Sequence, residues 1–414
     1  MGRTTYLGRD GGNARQFVGA AGMVTLPHAP WRDRQDLADL IATLGGGEMT
    51  RLVGGAVRDS LLGRPVRDID LATRLSPAEV VERLEAAGIK AVPTGIAHGT
   101  VTAVPSGGPI EVTTLRRDIS TDGRHATVAF SDDWREDAAR RDFTINALYA
   151  DNETGEVFDW FGGEADIATR HIRFIGDPRT RIAEDHLRIL RFFRFHARYG
   201  VGPPDDAALA ACTTRANDLM ALSRERIAAE LLKLLDADDP APVVGIMIDN
   251  GILRPVLPEF EDAAPLARCV ARENGLGVPG DAVRRLAALI DGRADLAASI
   301  SARLKLSNVM TRRLVAAVKP IDGTPEAMAY RLGNVGAIDR LVLDNGTAAD
   351  VTRLSDWTAP TLPITGGALI ALGLKPGPIV AQTLSAIEKR WVDEGFPHGT
   401  RFEAIVAGEV SRAS

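Results

Sequence analysis

The stretch LVGGAVRDSLLGRPVRDIDLAT, residues 52–73, packs a glycine pair, Arg58 and the spaced aspartates Asp68 and Asp70 into 17 residues, from Gly54 to Asp70. Residues 51–53 read as a short strand, Gly54-Gly55 as a turn and 56–62 as a helix stopped by Gly63. RDIDLAT then alternates like a half-buried strand. On a strand, residues i and i+2 share a face, so Asp68 and Asp70 are expected to project together while Ile69 turns into the core. Two like charges that close repel, and a divalent cation compensates them. Hard oxygen ligands at this spacing suit Mg²⁺, which takes one or two carboxylates together with phosphate oxygens. The Gly54-Gly55 turn leaves free backbone N–H groups at a helix start, the usual setting for a phosphate. Arg58 adds charge one turn into that helix. An Asp-x-Asp alone is more often a solvated strand edge, and a glycine pair alone a tight turn. Together they point to metal-assisted phosphoryl or nucleotidyl transfer.

The flanking sequence predicts an α+β fold with an antiparallel sheet. Residues 35–45 look helical. Ser76-Pro77 opens a helix through about Ala87, with Ser76 as N-cap. GTVTAV and IEVTTL read as strands joined by the turn-forming PSGGP. Glu111, on the second of them, is placed as a possible third catalytic carboxylate. Residues 116–136 are polar and weakly periodic, and are read as a mobile loop. Beyond about residue 178 the strand signals stop and the chain reads as helices.

Two further constellations carry chemistry. In RRDFTINAL, 140–148, Arg141 is suited to phosphates and Asp142 to accepting from a ribose hydroxyl; the bland reading is a helix start with a charged first turn. In EDHLRILRFFRFHARY, 184–199, a helical wheel puts Arg188, Arg191, Arg194 and Arg198 in one ~120° arc, with Glu184 inside it and Asp185 at its border. A solvated basic face is the ordinary alternative. A carboxylate accepts from an exocyclic amine and a guanidinium donates to a ring nitrogen. Cytosine and adenine present that pattern; uracil and guanine present the reverse. Asp185 with Arg188 would therefore accept C and A and reject U and G.

Bulk properties narrow the partners. The 414-residue chain is 45% hydrophobic and 25% charged, with net charge −6. That excludes a surface coated in basic charge, but not a local basic track. Residues 173–198 hold seven arginines against three acids, whereas from residue 251 onward 19 basic side chains meet 18 acidic ones. Work on a polyanion is thus concentrated mid-chain. Cys212 and Cys269 suffice for neither a disulfide framework nor a zinc cluster, in keeping with a cytoplasmic protein. No apolar run nears the roughly 18 residues of a membrane span, so no membrane partner is expected. Residues 17–27, FVGAAGMVTLP, are interrupted by Gly19 and Gly22 and are not read as a signal segment.

The motifs Gly54-Gly55-x-x-Arg58-Asp59, Asp68-x-Asp70, Arg140-Arg141-Asp142-Phe143-Thr144-x-Asn146-Ala147 and Glu184-Asp185-x-x-Arg188-x-x-Arg191 occur in order. Their combination resembles class II tRNA nucleotidyltransferases (CCA-adding enzymes) and the closely similar bacterial poly(A) polymerases. SRERIAAELLKLL (223–235) and LPITGGALIALGLKPGP (362–378) resemble later segments of that family. The resemblance implies a polymerase β-like nucleotidyltransferase head at 31–177, behind a flexible extension at 1–30. It implies a helical neck at 178–265 and a helical body and tail at 266–414. It implies two metal ions on Asp68 and Asp70, and triphosphate contacts from Gly55, Arg58, Arg141, Arg191 and Arg194, with Gly54 and Asn146 in the nucleotide site. Base reading falls to Asp185 and Arg188 with Glu184 in support, and ribose contacts to the Arg-Asp-Phe-Thr segment. Residues 116–136 match the loop that helps switch the family's pocket from CTP to ATP. The implied activity is template-independent addition of C, C and A to tRNA 3′ ends. Poly(A) addition and CC-only or A-only addition are the alternatives. A non-catalytic RNA-binding protein on this fold would be expected to lose a metal carboxylate, and both aspartates are present. One departure is Ala368, where the family commonly has an acid; it bears on tRNA docking through the tail.

Overall fold

The computed structural model describes residues 24–122, 125–319 and 323–413. Two compact units divide at Leu222/Ser223, within the stretch expected to form the neck.

The first unit opens with α1 (Gln35–Thr43), the short α2 (Gly46–Met49), β1 (Thr50–Val53), α3 (Gly55–Leu61) and β2 (Asp70–Thr73). Next come α4 (Pro77–Ala86), β3 (Lys90–Gly95), β4 (Thr100–Val104) and β5 (Ile110–Thr114). β6 (Arg116–Asp122), β7 (His125–Phe130), α5 (Trp134–Ala139), β8 (Tyr149–Ala150) and β9 (Val157–Phe158) complete the strand-bearing part. α6 (Gly163–Thr169), α7 (Pro178–Glu184), α8 (Arg188–Tyr199) and α9 (Asp206–Thr214) follow. Seven strands form one sheet in the order β3-β4-β5-β2-β1-β8-β9. All its neighbours are antiparallel except β2 and β5, which run parallel with Asp70 opposite Glu111. α4 starts as its sequence predicts: Ser76 and Glu79 form a reciprocal capping box, with Pro77 at the first helical position. Leu52, Leu71 and Val112 are fully buried, which fixes the register of the three strands that carry the site.

Three sequence expectations change here. The stretch read as a mobile loop, 116–136, holds regular structure in its described residues: β6 and β7 pair as an antiparallel ribbon apart from the main sheet, and α5 begins at Trp134. The expected extension at 1–30 lies largely outside the described residues, but its end belongs to the head. Thr25 bridges Glu156, the Leu26 amide donates to Gly155 O at 2.8 Å, and Leu26 is buried. The helix read through 184–199 is broken: Asp185 is extended (φ −152°, ψ 109°), ending α7 before α8 begins.

Among the described residues the second unit is all helical, from α10 (Arg224–Leu235) to α20 (Thr400–Ala413). Glu273 and Asp339, both fully buried, are neutralised there by Arg284, Arg285 and Arg313. The short tail helix Gly366–Ala371 is capped by Thr365, whose side chain accepts from the Ala368 amide at 3.4 Å. No helix among the described residues is long and apolar enough to cross a membrane.

Candidate active site

Asp70 opens β2, and its two flanks differ. On one side, one step beyond the Leu52↔Leu71 pair, β1 ends at Val53 and turns through Gly54. On the other stands Glu111 of β5. Asp68, Asp70 and Glu111 line one cleft of about 530 Å³. Asp68 precedes the strand, so no two-residue alternation governs it, and Ile69 lines the same cleft instead of entering the core. Burial, then Glu111 and Asp68, push the Asp70 carboxyl above its ordinary value against the pull of Arg141. Such crowding suits a divalent cation. Among the described residues no three His, Cys, Asp or Glu side chains close into a metal cage of their own.

The Gly54 flank is the one expected to take phosphate. Gly54 has φ +67° and ψ −115°, which a side chain would strain, and a Cβ there would also meet Arg141 Nη1 at 3.4 Å. α3 spans only seven residues, so the positive charge comes mainly from arginines. Arg58 donates to Asn146 Oδ1 at 2.6 Å, to the Tyr199 hydroxyl at 2.7 Å and to both Asp59 oxygens. Asn146 in turn donates to Asp142 Oδ1 at 3.1 Å, and Asp142 Oδ2 accepts from Arg191 Nε at 2.7 Å. The guanidinium carbons of Arg194, Arg58 and Arg191 lie 4.7, 5.4 and 5.5 Å from the Phe195 ring centre. Three guanidinium groups held around one ring concentrate positive charge beside this turn.

Arg141 is fixed by residues that sequence reasoning missed. Its Nε donates to the Tyr149 hydroxyl at 3.1 Å and its Nη2 to Asp137 Oδ2 at 3.2 Å. Asp137, buried on α5, also accepts from Tyr149, from Arg140 at 2.7 Å and from the Arg116 amide at 3.1 Å. Burial opposes its ionisation, but Arg141 and Arg140 overcome that and hold the carboxyl down at about 2. The available signal was spacing: an acid on α5 three and four residues before two arginines, at and just past the end of that helix.

The pair expected to read the base, Asp185 and Arg188, is placed less simply than expected. Asp185, in the break before α8, accepts the Leu187 amide at 3.1 Å. Arg188 donates to Glu184, to Arg181 O at 2.8 Å and to Arg140 O at 3.3 Å. Arg188 and Asp185 thus stand at one junction, with Glu184 holding the guanidinium.

A family model described as the poly A polymerase head domain matches residues 50–173, and one described as a probable RNA- and SrmB-binding site of polymerase A matches 204–264. Mouse mitochondrial CCA tRNA nucleotidyltransferase 1 is 32% identical over 346 residues, 79% of each chain. The chain belongs to the CCA-adding nucleotidyltransferase family. The CCA-adding enzyme of Limosilactobacillus fermentum is 32% identical over 373 residues, 83% of this chain and 88% of that one. The crystal structure of the Bacillus stearothermophilus CCA-adding enzyme in complex with CTP superposes with a TM-score of 0.73 at 27% identity, over 91% of this chain and 98% of that one. As a CCA-adding nucleotidyltransferase, the chain keeps the head, the carboxylates and the arginine group in one unit, Met1–Leu222.

Proposed function

We propose that this chain extends the 3′ end of tRNA by C, C and A, taking CTP and ATP, releasing pyrophosphate and using Mg²⁺. The observation that carries the reading is Asp70 paired beside Glu111, with Asp68 in the same cleft and the arginine group on the opposite flank. The activity named for its relatives supports it. So does the CTP held by the Bacillus stearothermophilus enzyme. Two buried free thiols, Cys212 and Cys269, are in keeping with a reducing compartment such as the cytoplasm.

Each residue then has a task. Arg58, Arg141, Arg191 and Arg194 bind the triphosphate and fix its α-phosphorus against the carboxylates. Gly54 lets the backbone approach without a clash. Asp185 accepts the amine of cytosine or adenine and Arg188 donates to the adjacent ring nitrogen. Asp68 and Asp70, with Glu111 beside them, would hold the metal ions. Metal ions held there would supply Lewis-acid activation of the RNA hydroxyl and neutralise the leaving pyrophosphate.

The test combines purified protein, Mg²⁺ and tRNA lacking its 3′ end with each nucleotide singly and together, product lengths being read on a gel. CTP alone should add two residues, and CTP with ATP three. A long ladder with ATP alone would mark poly(A) addition instead. Asp70→Ala should abolish extension while tRNA binding persists. A variant keeping more than about a tenth of normal kcat, a loss under ~1.4 kcal/mol, would contradict the metal role.

A further inference from the structure

The cleft that holds the carboxylates continues past them, away from Gly54. It is lined also by Arg67, next to Asp68, and by Arg34 and the Gly107-Gly108 turn between β4 and β5. Arg34 precedes α1 and is held rigidly. Its Nε and Nη2 donate to Asp36 at 3.0 and 2.8 Å, and Asp36 also accepts the Gly107 amide at 2.6 Å. One carboxylate thus clamps the arginine and the turn together. Gly107 makes room for the clamp: a Cβ there would lie 2.2 Å from Arg34 Nη2. Arg67, just before Asp68, is exposed and makes no hydrogen bond or ion pair among the described residues, although three carboxylates line its cleft.

In nucleotidyl transfer the attacking and leaving oxygens lie roughly in line through the phosphorus. Here the arginines suited to the triphosphate flank Asp70 on the β1 side, so the leaving pyrophosphate lies on that side. The attacking hydroxyl must approach from the β5 side, where the cleft lies. The incoming group is the end of an RNA strand, a polyanion, and it needs cations beside the carboxylates that would otherwise repel it.

We propose that Arg34 and Arg67 form the binding site for the backbone phosphates at the RNA 3′ end, with Asp36 and Gly107 as the frame that positions Arg34. This rests on the proposed nucleotidyl transfer at Asp68 and Asp70. Arg34 supplies a fixed, pre-oriented pair of donors. Arg67 supplies an exposed charge next to the reacting hydroxyl. The site reads no base, so it serves each round of addition alike as the strand end grows.

The test uses the full-length protein with Arg34→Gln, Arg67→Gln and Gly107→Ala, the last displacing Arg34 without removing it. Steady-state KM is measured separately for tRNA lacking its 3′ end and for CTP. tRNA binding is followed against salt concentration in a second assay without nucleotide. Each arginine variant should raise the tRNA KM about tenfold, a typical loss for one charge-assisted contact. The CTP KM should stay within about twofold, a change too small to count as a lost contact. The slope of log binding constant against log salt should fall by about 0.7 per lost single-strand phosphate contact. Gly107→Ala should reproduce the Arg34→Gln defect. An unchanged tRNA KM and slope, or an equal rise in both KM values, would overturn the proposal. If wild type adds no nucleotide at all, the proposed function fails, and the salt slope still decides whether the arginines hold RNA.

Discussion

The Asp142 carboxylate accepts from Arg191 Nε at 2.7 Å, joining the RRDFT segment to α8. Its other oxygen accepts from the Phe143 amide at 2.9 Å and from Asn146. Burial would raise this carboxyl, but Arg191, Asn146 and the amide hold it below its ordinary value. The sequence gives Asp142 to the ribose and Arg191 to the triphosphate. The structure spends Asp142 on holding Arg191. Asp142→Asn should therefore lower kcat/KM about tenfold, or ~1.4 kcal/mol, for CTP and for 2′-deoxy-CTP alike. If the variant loses discrimination between the two sugars, Asp142 serves the ribose directly.

Asp185 and Arg188 follow hydrogen-bond polarity. Asp185→Ala removes the carboxylate that repels O4 of UTP and O6 of GTP, and also a bond that CTP and ATP use. A charge-assisted bond is worth roughly 1.5–3 kcal/mol, so kcat/KM for CTP should fall about 10- to 150-fold while selectivity relaxes. All four nucleotides would be compared in wild type and variant. Continued strict rejection of UTP and GTP would reduce Asp185 to a structural residue in the break before α8. Glu184→Gln offers a second handle, because Glu184 is the acid that holds Arg188. It should weaken the choice of base without abolishing addition.

Asp137 gives a pH dependence of stability. Its folded pKa of about 2 lies below the ordinary 3.8. A depressed carboxyl stabilises the fold above its unfolded pKa, and that contribution is lost as pH falls through the folded value. The window is therefore about pH 4 down to 2, and the contribution above it is of order 2 kcal/mol. In urea denaturation, Asp137→Asn should be less stable than wild type at pH 6, and the gap should close toward pH 2. A gap independent of pH would show that the carboxylate's charge is not what stabilises.

The motifs were legible because they are local. Gly54-Gly55, Arg58, Asp68 and Asp70 lie within one strand–turn–helix–strand segment, and Ser76 and Glu79 signal their helix start directly. What was hidden depends on distance or on a missing signal. Nothing local says that Asp70 faces Glu111, since parallel neighbours are set by how the chain crosses over. The β6–β7 ribbon stands apart from the main sheet; β6, RRDISTD, holds one apolar residue, Ile119, and the only local signal is the short alternation Ala126, Val128, Phe130 in β7. The wheel through 184–199 assumed an unbroken helix, and the extended Asp185 falsified it. Nothing in the sequence singles out Tyr199 or Tyr149; only the fold shows their hydroxyls bound to Arg58 and Arg141.

The departure at Ala368 has a local explanation. Thr365 is the N-cap of the helix Gly366–Ala371, and Ala368 is the third helical position. In a capping box that position holds an acid whose side chain accepts the N-cap amide. Thr347 and Asp350 form such a box elsewhere in the same unit. At 368 only half of it exists: the Thr365 side chain accepts the Ala368 amide, and alanine returns nothing. Two glycines at 366 and 367 make this first turn costly to order, so the missing half matters more than usual. Ala368→Glu should add the second bond and favourable charge at the helix start, stabilising by about 0.5–1 kcal/mol. The check is thermal unfolding of wild type and variant, with Ala368→Gln separating the bond from the charge. Both should raise Tm, the glutamate more, with CTP incorporation unchanged. If Ala368→Glu leaves Tm unmoved and instead changes the tRNA KM, the position faces RNA and its acid serves docking, as the family resemblance alone would suggest.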